Sequence, residues 1–69
     1  MMDREVIGLN AGLVWNALNN SEEKLTLKGL KKVTKLKDKE PYAAIGWLSR
    51  EDKISIEEVE GGDLLIGLI

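Results

Sequence analysis

The chain has 69 residues, a formal net charge of −2, no cysteine and no histidine. The missing residue types exclude disulfides and thiolate metal sites, and they remove the most common metal ligand and the usual general base. A chain of this length forms one domain, placed at residues 1–69, that buries only about 60% of its unfolded surface. A partner subunit is the remaining way to add buried area.

The small total charge conceals an uneven distribution along the chain. Residues 24–39 hold seven lysines against one aspartate, a local charge of +6. Residues 51–69 hold six carboxylates against Lys53, a local charge of −5. A basic patch of this kind can attract an anionic partner even when the total is close to zero.

The sequence predicts a cytoplasmic protein. Residues 1–5 lack the basic and then apolar order of a secretory signal, and no apolar run approaches the ~20 residues that span a bilayer. No strongly basic helix carries an aromatic face, so we expect no membrane association.

The first predicted helix covers residues 5–19, with its start between Asp3 and Asn10. An apolar stripe at helical spacing is formed by Ile7, Ala11, Val14, Trp15 and Leu18. Gly8 and Gly12 lie four residues apart on one face, and each weakens the helix by about 1 kcal/mol relative to alanine. They indicate either tolerance near a frayed end or a shallow groove that another element approaches closely.

Residues 25–54 are predicted to contain two short helices joined by a tight turn, the arrangement of a helix-turn-helix. Thr26 is a candidate N-cap for a helix from Leu27 to Thr34, and the alternation around Thr26 also permits a strand of two or three residues. The apolar stripe of this helix is formed by Leu27, Leu30 and Val33.

The second helix of this motif has clear start signals. Asp38 is the candidate N-cap, and Pro41 falls in the first turn, where its missing N–H costs nothing. Leu36 lies in the connection between the helices and is expected to plug the core. The helical spacing is carried by Ala44, Ile45 and Leu48.

A hairpin, which we call the wing, is predicted over residues 53–69. Its first strand, 53–60, has a phase slip between Ile56 and Val59 that indicates a bulge. Gly61-Gly62-Asp63 is a strong hairpin signal. The last strand, 64–69, does not alternate, so both faces favour burial. One face can cover the helices, and the other face or a free edge can meet a partner.

Two segments carry a family resemblance. The run Asn10-Ala11-Gly12-Leu13-Val14-Trp15, followed by AIGWLSREDKI at residues 44–54, resembles small winged helix-turn-helix proteins of Bacteroides and relatives, long catalogued as a domain of unknown function. The resemblance covers nearly the whole chain. It implies an α+β fold of three helices and a small antiparallel sheet, in the order helix, short strand, helix, helix, strand, strand. It also favours a homodimer and carries over no catalytic residues.

Residues 45–54 also resemble a wider pattern of bacterial winged-helix regulators, Leu-x-x-Leu-x-Arg-Glu-Gly-x-Ile. Asp52 stands where this pattern usually has glycine. The departure leaves open the geometry of the turn that precedes the wing.

The outer face of the second motif helix is poor in residues that read DNA bases. That face is predicted to consist of Tyr42, Ala43, Gly46, Trp47 and Arg50. Base edges are usually met by Arg, Lys, Asn, Gln or Ser, and only Arg50, at the far end, is of this type. Trp47 could stack on an unpaired base, anchor a protein interface, or lie half-buried against the wing.

Two functions are compatible with these features. The first is a transcription-regulator-like module on double-stranded DNA, with phosphate contacts from Lys28, Lys31, Lys32, Lys35, Lys37, Lys39 and Arg50. The lysines equally suit a solvated face, and the wing carboxylates would repel phosphate. The second is a protein-interaction or dimerisation module without DNA binding, with contacts from Tyr42, Trp47, Leu64, Ile66 and Leu68.

We expect no enzyme activity, cofactor, metal or small-molecule substrate. Glu57 and Glu58 are adjacent strand residues that point to opposite faces, so they cannot readily share a proton or a metal. The serines have no histidine to activate them. Gly61-Gly62 is a turn and not a phosphate-binding loop.

Overall fold

The computed structural model describes residues 3–69, which form three α-helices and a three-stranded sheet. The elements are α1 (Arg4–Asn19), β1 (Leu25–Thr26), α2 (Leu27–Thr34), α3 (Glu40–Arg50), β2 (Ile54–Glu58) and β3 (Leu64–Leu68). A short 3₁₀ turn over Glu60–Gly62 joins β2 to β3. The predicted order of elements is therefore confirmed. No helix in residues 3–69 has the length and apolar character needed to cross a membrane.

Helix α1 begins inside the interval predicted for its start. Asp3 is the N-cap, and its carboxylate accepts a hydrogen bond from the Val6 N–H at 2.9 Å. The buried side of the helix includes Ala11, Val14 and Leu18. Trp15, predicted in the same stripe, is 36% exposed because it lies on the flank of the helix and not on its core face.

Helix α2 has the predicted boundaries and the predicted cap. The Thr26 hydroxyl accepts a hydrogen bond from the Gly29 N–H at 3.0 Å. Val33 is 60% exposed, so its predicted place in the core stripe is wrong. The reason is that the chain turns at Lys35, which has a φ of 63°, and this turn directs Leu36 into the core. The prediction that Leu36 plugs the core is confirmed.

The start of α3 differs from the prediction. Asp38 is not the N-cap, because it has a φ of 55° and lies in the turn before the helix. Lys39 takes the cap position and makes no side-chain capping bond. The Glu40 carboxylate accepts a hydrogen bond from the Lys37 N–H at 3.0 Å. Pro41 lies in the first turn, as predicted, and is fully buried.

The sheet is antiparallel with the strand order β1-β3-β2. Strand β3 is central: β2 pairs along its whole length, and β1 pairs with Leu65 and Ile66, so little of the free edge predicted for the last strand remains. Strand β2 pairs with β3 residue by residue from Ile54 to Glu58. The predicted bulge is therefore wrong, and Val59 lies beyond the strand. Gly61 and Gly62, with φ of 84° and 79°, form the predicted hairpin turn.

Asp52 keeps the turn geometry that glycine would give. Its φ is 57°, in the left-handed region, which aspartate tolerates better than most residues. The following N–H, from Lys53, donates to the Leu48 carbonyl at 3.1 Å and closes α3. The departure from the wider regulator pattern therefore changes the residue and preserves the local backbone.

Candidate nucleic-acid interface

Helix α2 presents lysines on its outer side because its apolar side is anchored in the core. Leu27 and Leu30 are buried, and Leu30 has no exposed surface. On the outer side Lys28 and Lys32 are exposed and Lys31 is half-buried. The lysines are therefore carried on a backbone that packing holds in place.

The connection from α2 to α3 extends this basic region. Lys35 ends α2 in a left-handed conformation, and its N–H donates to the Lys31 carbonyl at 2.8 Å. Lys37 and Lys39 follow in the turn, and all three of these connection lysines are exposed. We use the name lysine surface for Lys28, Lys31, Lys32, Lys35, Lys37 and Lys39.

The lysine surface is not neutralised by ion pairs within residues 3–69. The two ion pairs found there join Lys24 to Glu57, at 2.8 Å, and Lys53 to Glu51, at 3.7 Å. Both lie outside the lysine surface. Its positive charges are therefore available to an external anion.

A cation–π contact joins the lysine surface to the start of α3. The Lys31 ammonium lies 5.5 Å from the centroid of the Tyr42 ring, and Tyr42 is 55% exposed. A groove of about 200 Å³ separates this pair from the tip of the wing. Asp63 lines the wing side of this groove, so the groove has a basic wall and an acidic wall.

The middle of the outer face of α3 carries only small residues. Gly46 is exposed, and a Cβ added there would meet nothing within 4 Å. Ala43 is half-buried beside it, and Arg50 is exposed at the far end of the helix. An external chain could approach the backbone of α3 closely, but it would meet few side chains able to discriminate bases.

Trp47 lies against α1. A Cβ added at Gly8 would lie 3.8 Å from the Trp47 ring, and the indole is half-buried. Gly8 therefore forms the shallow groove that the sequence suggested as one of two interpretations. Gly12 lines the same groove, but no other element approaches it, since nothing lies within 4 Å of a Cβ placed there.

Arg4 joins this region although the sequence did not single it out. A cleft of about 260 Å³ is lined by Arg4, Trp47, Arg50 and Glu51. Arg4 precedes Gly8 by one helical turn, so the two share a face of α1. The four-residue spacing between Arg4 and Gly8 could have indicated its place in the cleft, but only once Trp47 is known to pack on Gly8.

The predicted partner contacts on the last strand point inward. Ile66 has no exposed surface, and Leu64 and Leu68 pack against the core. On the other face of β3, Leu65 is half-buried, and the backbone of Gly67 is buried beneath the stem of Lys24. This placement corrects the predicted partner surface, because alternate residues of a strand share one sheet face and this face packs against the core.

The wing carries exposed carboxylates on its outer strand and tip. Glu57, Glu58 and Glu60 are exposed, and Asp63 is half-buried. The Lys24 ammonium donates a hydrogen bond to Glu57, and this bond together with the lysine charge lowers the pKa of the Glu57 carboxyl. Across residues 3–69, no group of three or more Asp or Glu side chains is arranged to hold a metal ion.

The helix-turn-helix of α2 and α3 beside a β-hairpin defines a winged helix-turn-helix domain. The chain belongs to this family, since residues 2–67 match the family model described as winged helix-turn-helix domain (DUF2582). It is similar to a Bacteroides thetaiotaomicron protein solved by NMR in solution, with 36% identity and a TM-score of 0.81. That match covers 97% of this chain and 79% of the other. A comparison with curated proteins gives no match.

These findings confirm the family resemblance and the fold class. A winged helix-turn-helix is a DNA-binding-like module, and folds of this kind are typically not enzymes. Because fold alone does not determine function, the surface residues have to carry the functional argument.

Proposed function

We propose that this protein is a DNA-associated, transcription-regulator-like module that binds double-stranded DNA mainly through phosphate contacts. The observation that carries the proposal is the lysine surface, which lies on α2 and its connection to α3 and has no carboxylate at ion-pair distance within residues 3–69. In helix-turn-helix complexes the first helix of the motif crosses the phosphate backbone. The lysines occupy that position here.

The outer face of α3 supports contact with two phosphate strands and not with base edges. Tyr42 and Arg50 are eight residues apart, which is about 12 Å along a helix axis. The major groove is also about 12 Å wide. Lys31 beside Tyr42 and Arg50 at the other end would each meet a phosphate, while Ala43 and Gly46 face the groove floor. We therefore expect affinity to depend weakly on base sequence.

The test is fluorescence anisotropy with a labelled mixed-sequence duplex of about two helical turns (~21 base pairs). Salt is varied from about 50 to about 200 mM. If about four phosphates are neutralised, log K falls with log salt with a slope of about −4. A second duplex of scrambled sequence should bind within about threefold of the first.

Matched charge reversals locate the contact. Lys28→Glu is expected to weaken duplex binding about tenfold at low salt and to make the salt slope shallower by about one or two. Lys53→Glu makes the same charge change outside the lysine surface and is expected to weaken binding less than twofold. No binding at about 50 mM salt, or equal losses in both variants, would overturn the proposal.

We also propose, as a second candidate, a dimerisation module that pairs through α1. The observation that favours it is an exposed apolar patch, since Leu9 is 71% and Leu13 is 49% exposed and they lie on one helix face. Sedimentation should show a dimer that Leu13→Lys converts to a monomer. A monomer at high micromolar concentration would contradict this candidate.

A further inference from the structure

The two arginines of this chain line the same cleft. Arg4 opens α1 and Arg50 closes α3, far apart in the sequence, and the packing of α1 on α3 places both beside Trp47. The cleft has a volume of about 260 Å³ and is completed by Glu51. It lies outside the lysine surface, at the opposite end of α3 from Tyr42.

The charges of the cleft favour an anion. Neither guanidinium takes part in the two ion pairs found within residues 3–69. The carboxylate of Glu51 lies 3.7 Å from the Lys53 ammonium, which offsets the one negative group in the lining. Two guanidiniums remain, and their fixed arrays of donors suit phosphate oxygens.

The indole of Trp47 supplies a planar surface in the same cleft. Its six-membered ring lies near Gly8, so α1 supports one edge of the side chain. The cation–π contact found in the described part of the chain is between Lys31 and Tyr42, so neither arginine covers the Trp47 ring. An aromatic ring flanked by free guanidiniums can stack a base while the phosphate next to it is bound.

We propose that this cleft binds an unpaired nucleotide of single-stranded DNA. Arg4 and Arg50 hold the phosphate, and the base stacks on Trp47. Every base has a π-face, so the site is tolerant of base identity. Both proposals give Arg50 a phosphate contact, but this one also requires Arg4, the Trp47 ring and an unpaired strand, so the two proposals can fail separately.

A nucleic-acid strand fits this site better than an acidic peptide does. A carboxylate would engage the arginines but leave the indole without a planar partner. The outer face of α3 also connects the cleft to the lysine surface, since Trp47 follows Tyr42 by five residues, about 7.5 Å along the helix. A strand that leaves the cleft along α3 therefore meets further positive charge at Lys31.

Fluorescence of Trp47 tests the proposal directly. The chain has two tryptophans, so Trp15→Phe leaves Trp47 as the single indole reporter. Titration with a single strand of about eight thymidines should quench its emission saturably. Adding Arg4→Gln should raise the strand concentration needed for half-maximal quenching about tenfold. Arg4→Lys should recover part of the lost affinity because it keeps the charge. The same sequence annealed into a duplex should quench little, since its bases are paired.

Several results would overturn the proposal. They are no saturable quenching, equal quenching with Arg4→Gln, equal quenching by the duplex, and tighter binding of a glutamate-rich peptide containing phenylalanine. The Trp47 indole N–H resonance of the unmodified protein, assigned with Trp47→Phe, gives the same test without the Trp15 change. Lys28→Glu separates the two proposals, because it should reduce duplex anisotropy strongly and change Trp47 quenching less than threefold.

Discussion

The lysine surface and the tip of the wing face each other across a groove at the start of α3, and the two regions carry opposite charge. The lysines of α2 and its connection are unpaired within residues 3–69, whereas the wing presents Glu57, Glu58 and Glu60. A phosphate backbone laid along α3 would be attracted on the α2 side and repelled on the wing side. The difference predicts that the proposed contact with DNA lies on the α2 side.

The two regions also differ in how they are anchored. The lysine surface is backed by Leu30, which has no exposed surface. The wing tip is held by a turn, in which the Val59 N–H donates to the Asp63 carbonyl at 3.0 Å and Gly61 and Gly62 take positive φ. Changes at the wing tip should therefore leave the core intact, while changes behind the lysines should not.

Truncation of Leu30, the buried residue behind the lysine surface, should have the largest effect on stability. Leu30→Ala is expected to lower the free energy of unfolding by about 3 kcal/mol, because it leaves a cavity at a fully buried site. Val33→Ala, in the same helix, should change it by less than about 0.5 kcal/mol, because Val33 is 60% exposed. Urea denaturation measures both. Similar losses in the two variants would show that α2 is not anchored in this way.

A smaller loss is expected at the wing tip. Gly61→Ala forces a side chain into a φ of 84° and should cost about 1–2 kcal/mol of stability. Duplex affinity of the folded variant should stay the same, since the proposed contact does not include the wing. Gly12→Ala is the matched control, because it lies in α1 with open space around it and should stabilise by up to about 1 kcal/mol. A large drop in duplex affinity for Gly61→Ala would place the wing in the contact.

Neutralising carboxylates of the wing should reduce the charge difference between the wing and the lysine surface. Glu58→Gln with Glu60→Gln removes two exposed carboxylates and should raise duplex affinity about threefold at low salt, with the gain fading as salt screens the charges. Glu5→Gln with Glu22→Gln removes two carboxylates elsewhere and should have a smaller effect. An unchanged affinity in the wing variant would show that the wing stays distant from bound DNA, and a lower affinity would place the wing in the contact.

Local signals in the sequence predicted much of the fold. The boundaries of α2, the Thr26 cap and the burial of Leu36 followed from spacing and capping chemistry, which act within one or two turns. The exposure of Val33 and the displaced start of α3 did not. They result from left-handed backbone at Lys35, a residue type that seldom adopts it, and at Asp38, a type that tolerates it but is equally typical of an N-cap.

The site was less predictable because it depends on contacts between distant segments. The lysines could be named from composition, but the cleft that joins Arg4 to Arg50 requires the packing of α1 on α3. The inward direction of Ile66 depends on which face of the sheet packs against the helices, and that is a property of the whole fold. Because the last strand does not alternate between apolar and polar residues, the sequence could not show which of its side chains face the helices.

The smallest expected effect concerns the one wing carboxylate that has a lysine partner. The hydrogen bond from Lys24 and its charge hold the pKa of Glu57 below its usual value. Because the pKa is lowered by folding, the stabilisation is present above the unfolded pKa and is lost as the pH falls through the folded one. Both side chains are exposed, so the effect on stability is small and weakens with salt.

NMR titration of the Glu57 carboxyl carbon measures this pKa directly. Lys24→Met keeps the aliphatic stem but should return the pKa to its usual range. Gly67→Ala should do the same, because its Cβ would come within 2.7 Å of the Lys24 Cγ and displace the stem from the sheet. Lys53→Met, which removes a lysine paired with Glu51, should leave the Glu57 pKa unchanged. If Lys24→Met has no effect, Glu57 is as free as its neighbours and the wing repels phosphate with its full charge.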